Sequence, residues 1–207
     1  MKDLLAFIDF ETTGLSARGG DRVIEVGIAV LDGSRIVDRY QSLINPCMPI
    51  PWVIEDLTGI SDDMVRSAPG APEVMSEVHD FIGEMRLVAH NASFDRGFMD
   101  AEFSRIRRRR KQDFICSLRV ARRVYPRAPN HKLGTLVNLT GVKAAKRAHR
   151  ALGDAEMTAR VWRHMVNEVK RKHRIRTVPV ELMESLQYVR VRDGDVAIKN
   201  WGQTPTF

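Results

Sequence analysis

Two carboxylates stand two residues apart near the start of the chain, as Asp9 and Glu11. The residues before them, 4–8, are all apolar and have the length and composition of a buried strand. Because side chains alternate along a strand, both acids leave the same face. Adjacent carboxylates at a buried strand end repel each other and are costly to desolvate, so a divalent cation is the simplest partner. Taken alone, the pair is equally compatible with a solvated strand end.

Two further acids occupy positions that also favour binding of a divalent cation. Asp95 follows a predicted strand over 86–90, where a helix begins, although an acid there is also a common helix cap. Asp154 lies early in a predicted helix, between the small residues Gly153 and Ala155, which allow the helix to approach the sheet closely. An acid on a core-facing stripe needs a partner, and a metal ion shared with the strand carboxylates would supply one.

His149 precedes Asp154 by five residues, and on one ideal helix the two would not share a face. We therefore expect His149 in the loop that leads into the helix. A lone histidine is more often structural than catalytic, and the other histidines away from the acids are assigned that role: His79, His131, His164 and His173.

The elements that must position these residues follow from hydrophobic periodicity. Strands are predicted over 4–8, 23–30 and 35–44, with the turn Asp32-Gly33 making an antiparallel meander. Later strands over 86–90 and 114–116 alternate with helices near 72–82, 94–106, 118–125, 132–139 and 152–172. This order predicts an α/β fold with a mixed five-stranded sheet and helices on both faces. Trp52 and Trp162 are assigned to the core.

Size and composition limit the class of protein. The 207 residues and 43% hydrophobic content suit one domain with a small appendage. The net charge of +7 favours a polyanionic partner, with nucleic acid first. Cys47 and Cys116 are too few for a disulfide framework, and we expect reduced core thiols. With no leader or transmembrane stretch in the sequence, we expect a cytoplasmic protein without a membrane partner.

Three segments together resemble the motifs of the DEDDh exonucleases: DFETTGL at 9–15, HNASFD at 90–95 and HRALGDA at 149–155. Within that superfamily the chain is most similar to the DnaQ group, typified by the proofreading epsilon subunit of bacterial DNA polymerase III. The resemblance covers residues 1 to about 170 and includes all five signature positions in order. Three motifs with a full set of acids are far more specific than any one of them.

The resemblance implies a ribonuclease H-like fold and removal of nucleotides from the 3′ end of a polynucleotide. It implies that Asp9, Glu11, Asp95 and Asp154 hold two Mg²⁺ or Mn²⁺ ions, and that His149 is the general base. It also implies substrate contacts from Thr12, Thr13, Gly14 and Leu15, with Leu15 as an apolar wedge beneath the terminal base. Phe94 either stacks on that base or is a plain core residue at the start of a helix. Thr58 departs from the histidine that epsilon subunits have there, which puts a contact at this position in doubt.

The leading hypothesis is a proofreading or repair exonuclease that acts on single-stranded DNA. An exoribonuclease of the same family is the main alternative, since no residue in the sequence indicates whether a 2′-hydroxyl is recognised. A non-catalytic nucleic-acid-binding or polymerase-accessory module is the second. Oligomeric state is left open.

The predicted division is an exonuclease domain over 1–172 and a short extension over 173–207, with one helix near 180–187. The extension lacks the glutamine-rich linker of a polymerase-bound epsilon subunit. A polymerase or a sliding clamp is a candidate partner, and Gln203-Thr204-Pro205-Thr206-Phe207 is weakly similar to a clamp-binding peptide. A disordered chain end explains the same residues.

Overall fold

The computed structural model describes residues 4–144 and 149–201. In this part of the chain one sheet contains the strands β1 (Leu5–Thr12), β2 (Val23–Asp32), β3 (Arg35–Leu43), β4 (Arg86–Ala89) and β5 (Phe114–Cys116). Their order across the sheet is β3-β2-β1-β4-β5. The first three strands pair antiparallel, whereas β4 and β5 join β1 in parallel. The predicted meander followed by parallel strands is confirmed.

Helices cover both faces of this sheet. They are α1 (Trp52–Thr58), α2 (Asp62–Arg66), α3 (Ala71–Ile82), α4 (Ser93–Arg105), α5 (Ser117–Val124), α6 (Leu133–Thr140), α7 (Ala151–His173), α8 (Val180–Leu186) and α9 (Gly194–Lys199). Helix α7 lies on one face, and α3 and α4 lie on the other. None of the helices in the described ranges is both long and apolar enough to cross a membrane.

The alternation of side chains along β1 divides the core into two layers. Leu5 and Phe7 point to the layer that α7 covers, whereas Ile8 and Phe10 point to the layer of α3 and α4. Phe7 meets Trp162 of α7 edge to face, with ring centroids 6.1 Å apart. Trp162 is buried, as predicted. This contact fixes α7 across the strand that carries Asp9 and Glu11.

Three expectations about individual positions were wrong. Strand β1 does not end before Asp9 but continues to Thr12, because Phe10 is buried and pairing with β2 persists. Trp52 is 80% exposed, since α1 packs through Ile54 and turns its first residue outward. Cys47 is exposed rather than in the core, whereas Cys116 is buried.

After α7, the described residues 174–201 contain two α-helices, α8 and α9, where one was predicted. Leu182, Leu186 and Ile198 belong to the same apolar cluster as α7. The guanidinium of Arg123 on α5 donates to the carbonyl oxygen of Val189. The described part of the extension therefore packs on the sheet domain, and the division at 172/173 stays a prediction.

Candidate active site

Asp9 and Glu11 lie on the face of β1 that points to α7. They continue the row formed by Leu5 and Phe7, but beyond Phe7 the face changes from apolar to acidic. Glu11 is buried, and Asp9 is partly accessible. The predicted placement of both acids on one face follows directly from the two-residue period of the strand.

Asp154 reaches this face from the first turn of α7. It precedes Trp162 by eight residues, about 12 Å of helix, while Asp9 and Glu11 lie two and four residues beyond Phe7, about 7 and 13 Å of strand. The Trp162–Phe7 contact therefore brings Asp154 alongside the strand acids.

Gly27 of β2, directly opposite Asp9 in the sheet, makes the close approach of α7 possible. A Cβ atom at this position would lie 2.0 Å from the backbone nitrogen of Leu152 and 2.2 Å from the carbonyl carbon of Ala151. The small neighbours of Asp154 were predicted to permit close packing, but the residue that permits it most directly is on the sheet.

Asp95 lies in the first turn of α4, on the opposite side of the sheet from α7. Strand β4 pairs with β1 only as far as Phe7, so the amide of Phe10 faces an edge without a strand partner. That amide donates to Oδ1 of Asp95 at 3.2 Å. Asp95 is 2% exposed and does not act as the helix cap, since the cap position is Ala92. The helix-cap reading of Asp95 is therefore wrong, whereas its place in the first turn of α4 still suits the helix dipole.

Glu25, to which Arg150 is bound, is a residue of the site that the sequence interpretation missed. Glu25 is fully buried opposite Glu11 and accepts hydrogen bonds from the Arg150 guanidinium, the Ala151 amide at 3.0 Å and Gln41. It thus anchors the start of α7 to β2. The signal was present, since Glu25 interrupts the apolar strand 23–31, and an acid in such a strand requires a partner.

His149 lies in the loop immediately before α7, as predicted, and its side chain is exposed. Its backbone φ of 56° is in the left-handed region, which is uncommon for a residue other than glycine. One ligand-capable atom from each of Glu11, His149 and Asp154 lies within 4.8 Å of the others. The loop thus places an imidazole beside two carboxylates.

Burial and mutual repulsion raise the pKa values of these acids. For Asp9, burial is the main cause and the neighbouring Asp95 and Asp154 add to it, so its pKa is well above the ordinary value. Burial raises the pKa of Glu11 to about 8, and it raises that of Asp95 to about 7. The pKa of Asp154 is also raised by burial, which His149 partly opposes.

The donor set fits hard divalent cations. Four carboxylates supply oxygen ligands, which suit Mg²⁺ or Mn²⁺ better than zinc. Arg150 lowers the pKa of Glu11, but its guanidinium is bound to Glu25. Within the described ranges the acids therefore lack a cation of their own, and a bound divalent ion would offset their repulsion.

The threonines predicted to contact substrate use their hydroxyls within the loop. Thr12 donates to the carbonyl oxygen of Gly14 at 2.6 Å, and Thr13 accepts from the amide of Arg22 at 2.9 Å. Gly14 has no room for a side chain, because a Cβ would lie 2.5 Å from the Asp21 carboxyl group. These three residues shape the loop rather than present polar side chains to solvent.

Leu15 and Phe94 lie together on a cavity of about 710 Å³ beside the acids. Leu15 is 85% exposed, and Phe94 is half-buried with its ring 5.0 Å from that of Phe98. The predicted wedge and stacking residues are thus brought together. Thr58 is buried and donates to the Ile54 carbonyl, so it makes no contribution here.

His90 supports the site from behind. Its Nε2 lies 2.9 Å from the His131 carbonyl oxygen and its Nδ1 lies 2.9 Å from the Ser117 hydroxyl. Because a carbonyl only accepts, Nε2 carries the proton and Nδ1 accepts from serine. Burial lowers the pKa of His90 to about 4, so the ring stays neutral at pH 7 and braces the turn before α4.

A mixed sheet that gathers acids from a strand, the helix after β4 and the last long helix defines the DEDDh class of ribonuclease H-like exonucleases. The chain belongs to the exonuclease family RNase_T, whose family model matches residues 6–162. The predicted DEDDh assignment and the enzyme class, 3′–5′ exonuclease, are confirmed at the level of family and fold.

Among known proteins, the chain is similar to PolC-type DNA polymerase III. It is 38% identical over 172 residues to that of Oceanobacillus iheyensis, covering 83% of this chain and 12% of the relative. The match to the Bacillus subtilis protein is 37% identical and covers 79% of this chain and 11% of the relative. The chain therefore spans about an eighth of the length of these polymerases.

Solved structures show the same fold. Exonuclease X in complex with 5′ overhanging duplex DNA is 25% identical with a TM-score of 0.71, covering 88% of this chain and 99% of that chain. E. coli exonuclease I in complex with a dT13 oligonucleotide has a TM-score of 0.72 at 16% identity, covering 83% of this chain and 42% of that chain.

Proposed function

We propose that the chain is a metal-dependent 3′–5′ exonuclease that releases nucleoside monophosphates from the 3′ end of single-stranded DNA, in proofreading or repair. The observation that carries the proposal is the convergence of Asp9, Glu11, Asp95 and Asp154, with His149 at the open side. A pure binding module would gain nothing from clustered anions next to phosphate, whereas a hydrolase that holds cations there needs them.

In this proposal the four acids hold two Mg²⁺ or Mn²⁺ ions. When bound, such ions supply Lewis-acid stabilisation of the charge that develops during displacement at phosphorus. The protein's own part is to fix the ligands: the Phe10 amide orients Asp95, and the anchoring of α7 by Glu25 sets the position of Asp154.

His149 is proposed as the general base. Its exposed imidazole can reach a water molecule approaching from solvent and accept its proton, and the Asp154 carboxylate lies beside it. The adjoining cavity, with Leu15 and Phe94 on its wall, has apolar surfaces against which a terminal base can pack.

Single-stranded DNA is favoured over RNA by the relatives. The relatives at 37–38% identity are DNA polymerases. An association with a polymerase, within one chain or between chains, is proposed on the same ground. The clamp hypothesis concerns residues 203–207, which lie outside the described residues.

Incubation with 3′-labelled single-stranded DNA is expected to release mononucleotides with Mg²⁺ or Mn²⁺ and none with EDTA, because the ions supply the electrostatic stabilisation. The same assay on RNA decides between the two polymers, and circular single-stranded DNA is the control for cleavage within the chain. Absence of release from both linear polymers with metal would refute an exonuclease, and preferential release from RNA would favour the exoribonuclease alternative.

Divalent ions are also expected to stabilise the fold. A ligand that binds only the folded state at a hundred times its Kd contributes about 2.7 kcal/mol, or about 5–10 °C in Tm for a chain of this size. Differential scanning calorimetry with Mn²⁺, and with K⁺ at equal ionic strength as control, measures this shift. No shift with Mn²⁺ would contradict a preformed metal site.

The rise in Tm that Mn²⁺ causes should grow with pH. Asp95 and Glu11 have folded pKa values of about 7 and 8, raised from ordinary values of 3.8 and 4.5. The metal-free folded state therefore keeps protons that the unfolded chain releases, so its stability falls as pH rises through that window. Mn²⁺ needs the deprotonated forms, so its effect on Tm should be larger near about pH 8 than near about pH 6.

A further inference from the structure

A second cavity, of about 340 Å³, lies beside the active site at the C-terminal ends of β4 and β5. We call it the arginine groove, and we define it by five of its lining residues: Ser93, Arg96, Arg119, Arg122 and Gln187. No acidic side chain lines it within the described ranges. A groove with this lining offers hydrogen-bond donors and positive charge without a compensating anion.

Its three arginines differ from several of the arginines around them. Arg108 pairs with Asp80, and Arg110 pairs with Asp100, so much of the basic run after α4 is already neutralised. Arg96, Arg119 and Arg122 are exposed and have no acidic partner among the described residues. An anion that binds between them would offset the repulsion between their positive charges.

Gln187 gives an independent sign that a ligand belongs here. Its side chain is 3% exposed, and its Oε1 accepts from the backbone amide of Cys116 at 3.0 Å. Because that amide can only donate, the oxygen must face it, and the Nε2 group is left without a partner. A buried donor without an acceptor is costly, so an acceptor oxygen in the groove would complete it.

An exposed aromatic ring stands next to the groove. Tyr188 is 67% exposed, and the Arg119 guanidinium carbon lies 5.9 Å from its ring centroid. A cationic groove with an accessible aromatic ring is the combination that binds single-stranded nucleic acid, since the cations take phosphates and the ring stacks on a base. An acidic protein segment would use the arginines but not the open ring.

The arginine groove adjoins the larger cavity beside it. Ser93 and Arg96 line both this groove and the larger cavity that carries Leu15 and Phe94, and Asp95 lies between them in the same helical turn. Strand β5 is two strands from β1, which is about 10 Å across the sheet. A strand that enters the active site by its 3′ end can reach the groove within a few nucleotides.

We infer that the arginine groove binds a backbone phosphate of the substrate strand on the 5′ side of the scissile bond, with Tyr188 stacking on an adjacent base. This inference rests on the proposed exonuclease function. It adds a substrate subsite that holds the nucleic-acid strand on the 5′ side of the nucleotide being released. The contacts are with phosphate and a base face, so they give affinity without base preference.

The test uses Arg119→Gln/Arg122→Gln and two substrates. On a long oligothymidylate the KM of the double variant is expected to rise about tenfold with kcat nearly unchanged. On the p-nitrophenyl ester of thymidine 5′-monophosphate, which is too short to reach the groove, both constants should stay as in wild type. The salt dependence of oligothymidylate binding should also weaken, by about 0.7 in logarithmic slope for each phosphate that no longer meets an arginine.

The control is Arg35→Gln/Arg163→Gln, which removes two charges at the opposite edge of the sheet, where both line another groove. It should leave the KM for the oligothymidylate within about twofold. Binding in EDTA, followed by fluorescence anisotropy, separates the two proposals because it needs no turnover. Weaker binding in the groove variant alone supports the subsite even if no hydrolysis occurs. Equal binding by wild type and groove variant overturns it, even if hydrolysis is robust.

Discussion

Asp9→Asn should abolish turnover and at the same time raise the Tm of the metal-free protein. The Asp9 carboxylate has Asp95, Asp154 and Glu11 as neighbours, all of which raise its pKa. A neutral amide of the same shape removes this repulsion, so folding becomes more favourable near about pH 8. Loss of a metal ligand removes several kcal/mol of transition-state stabilisation, and 4 kcal/mol corresponds to about a thousandfold in rate.

Release of mononucleotides and the Tm with and without Mn²⁺ are the two measurements. The Mn²⁺-dependent rise in Tm should shrink in the variant, since one ligand has lost its charge. Asp56→Asn is the matched control, because Asp56 is exposed on α1, far along the chain from the acids. Wild-type rates for Asp9→Asn would contradict the metal-site proposal, and unfolding of the variant would assign Asp9 a structural role instead.

Gly27→Ala should disable the site without touching any of its functional side chains. The added methyl group would lie 2.0 Å from the Leu152 nitrogen, so the start of α7 has to move away from β2. His149 and Asp154 move with it. A displacement of about 1 Å in a catalytic group can cost about a hundredfold in rate, and overpacking costs about 1–3 kcal/mol in stability.

Gly134→Ala is the control for this substitution. Gly134 lies in α6, and no heavy atom is within 4 Å of the position that its Cβ would take. The alanine should therefore be neutral or stabilise the protein by about 0.5–1 kcal/mol. The Mn²⁺-induced shift in Tm should disappear in Gly27→Ala and persist in Gly134→Ala. A Gly27→Ala enzyme with a wild-type rate would show that the approach of α7 is not needed.

The sequence was informative wherever residue type alone reports chemistry. Asp9 and Glu11 on one strand face marked a candidate cation site, which the further acids Asp95 and Asp154 strengthened, and the order of a hairpin followed by strand–helix alternation leaves few topologies for the sheet. The loop position of His149 followed from helical geometry, because a spacing of five residues does not keep one face.

The features that the sequence did not predict depend on contacts between distant segments. Glu25 and Arg150 are 125 residues apart, and nothing local marks them as partners. The close approach at Gly27 depends on where α7 crosses the sheet. Trp52 was misplaced because a large aromatic ring is expected in the core, whereas the short α1 needs only Ile54 to hold it.

The Trp162–Phe7 contact also determines when the acid cluster can form during synthesis of the chain. Strand β1 and helix α4 emerge from the ribosome long before α7, and until Trp162 docks on Phe7 the fourth acid is not in place. The cluster of four acids is thus complete only after tertiary closure of the domain.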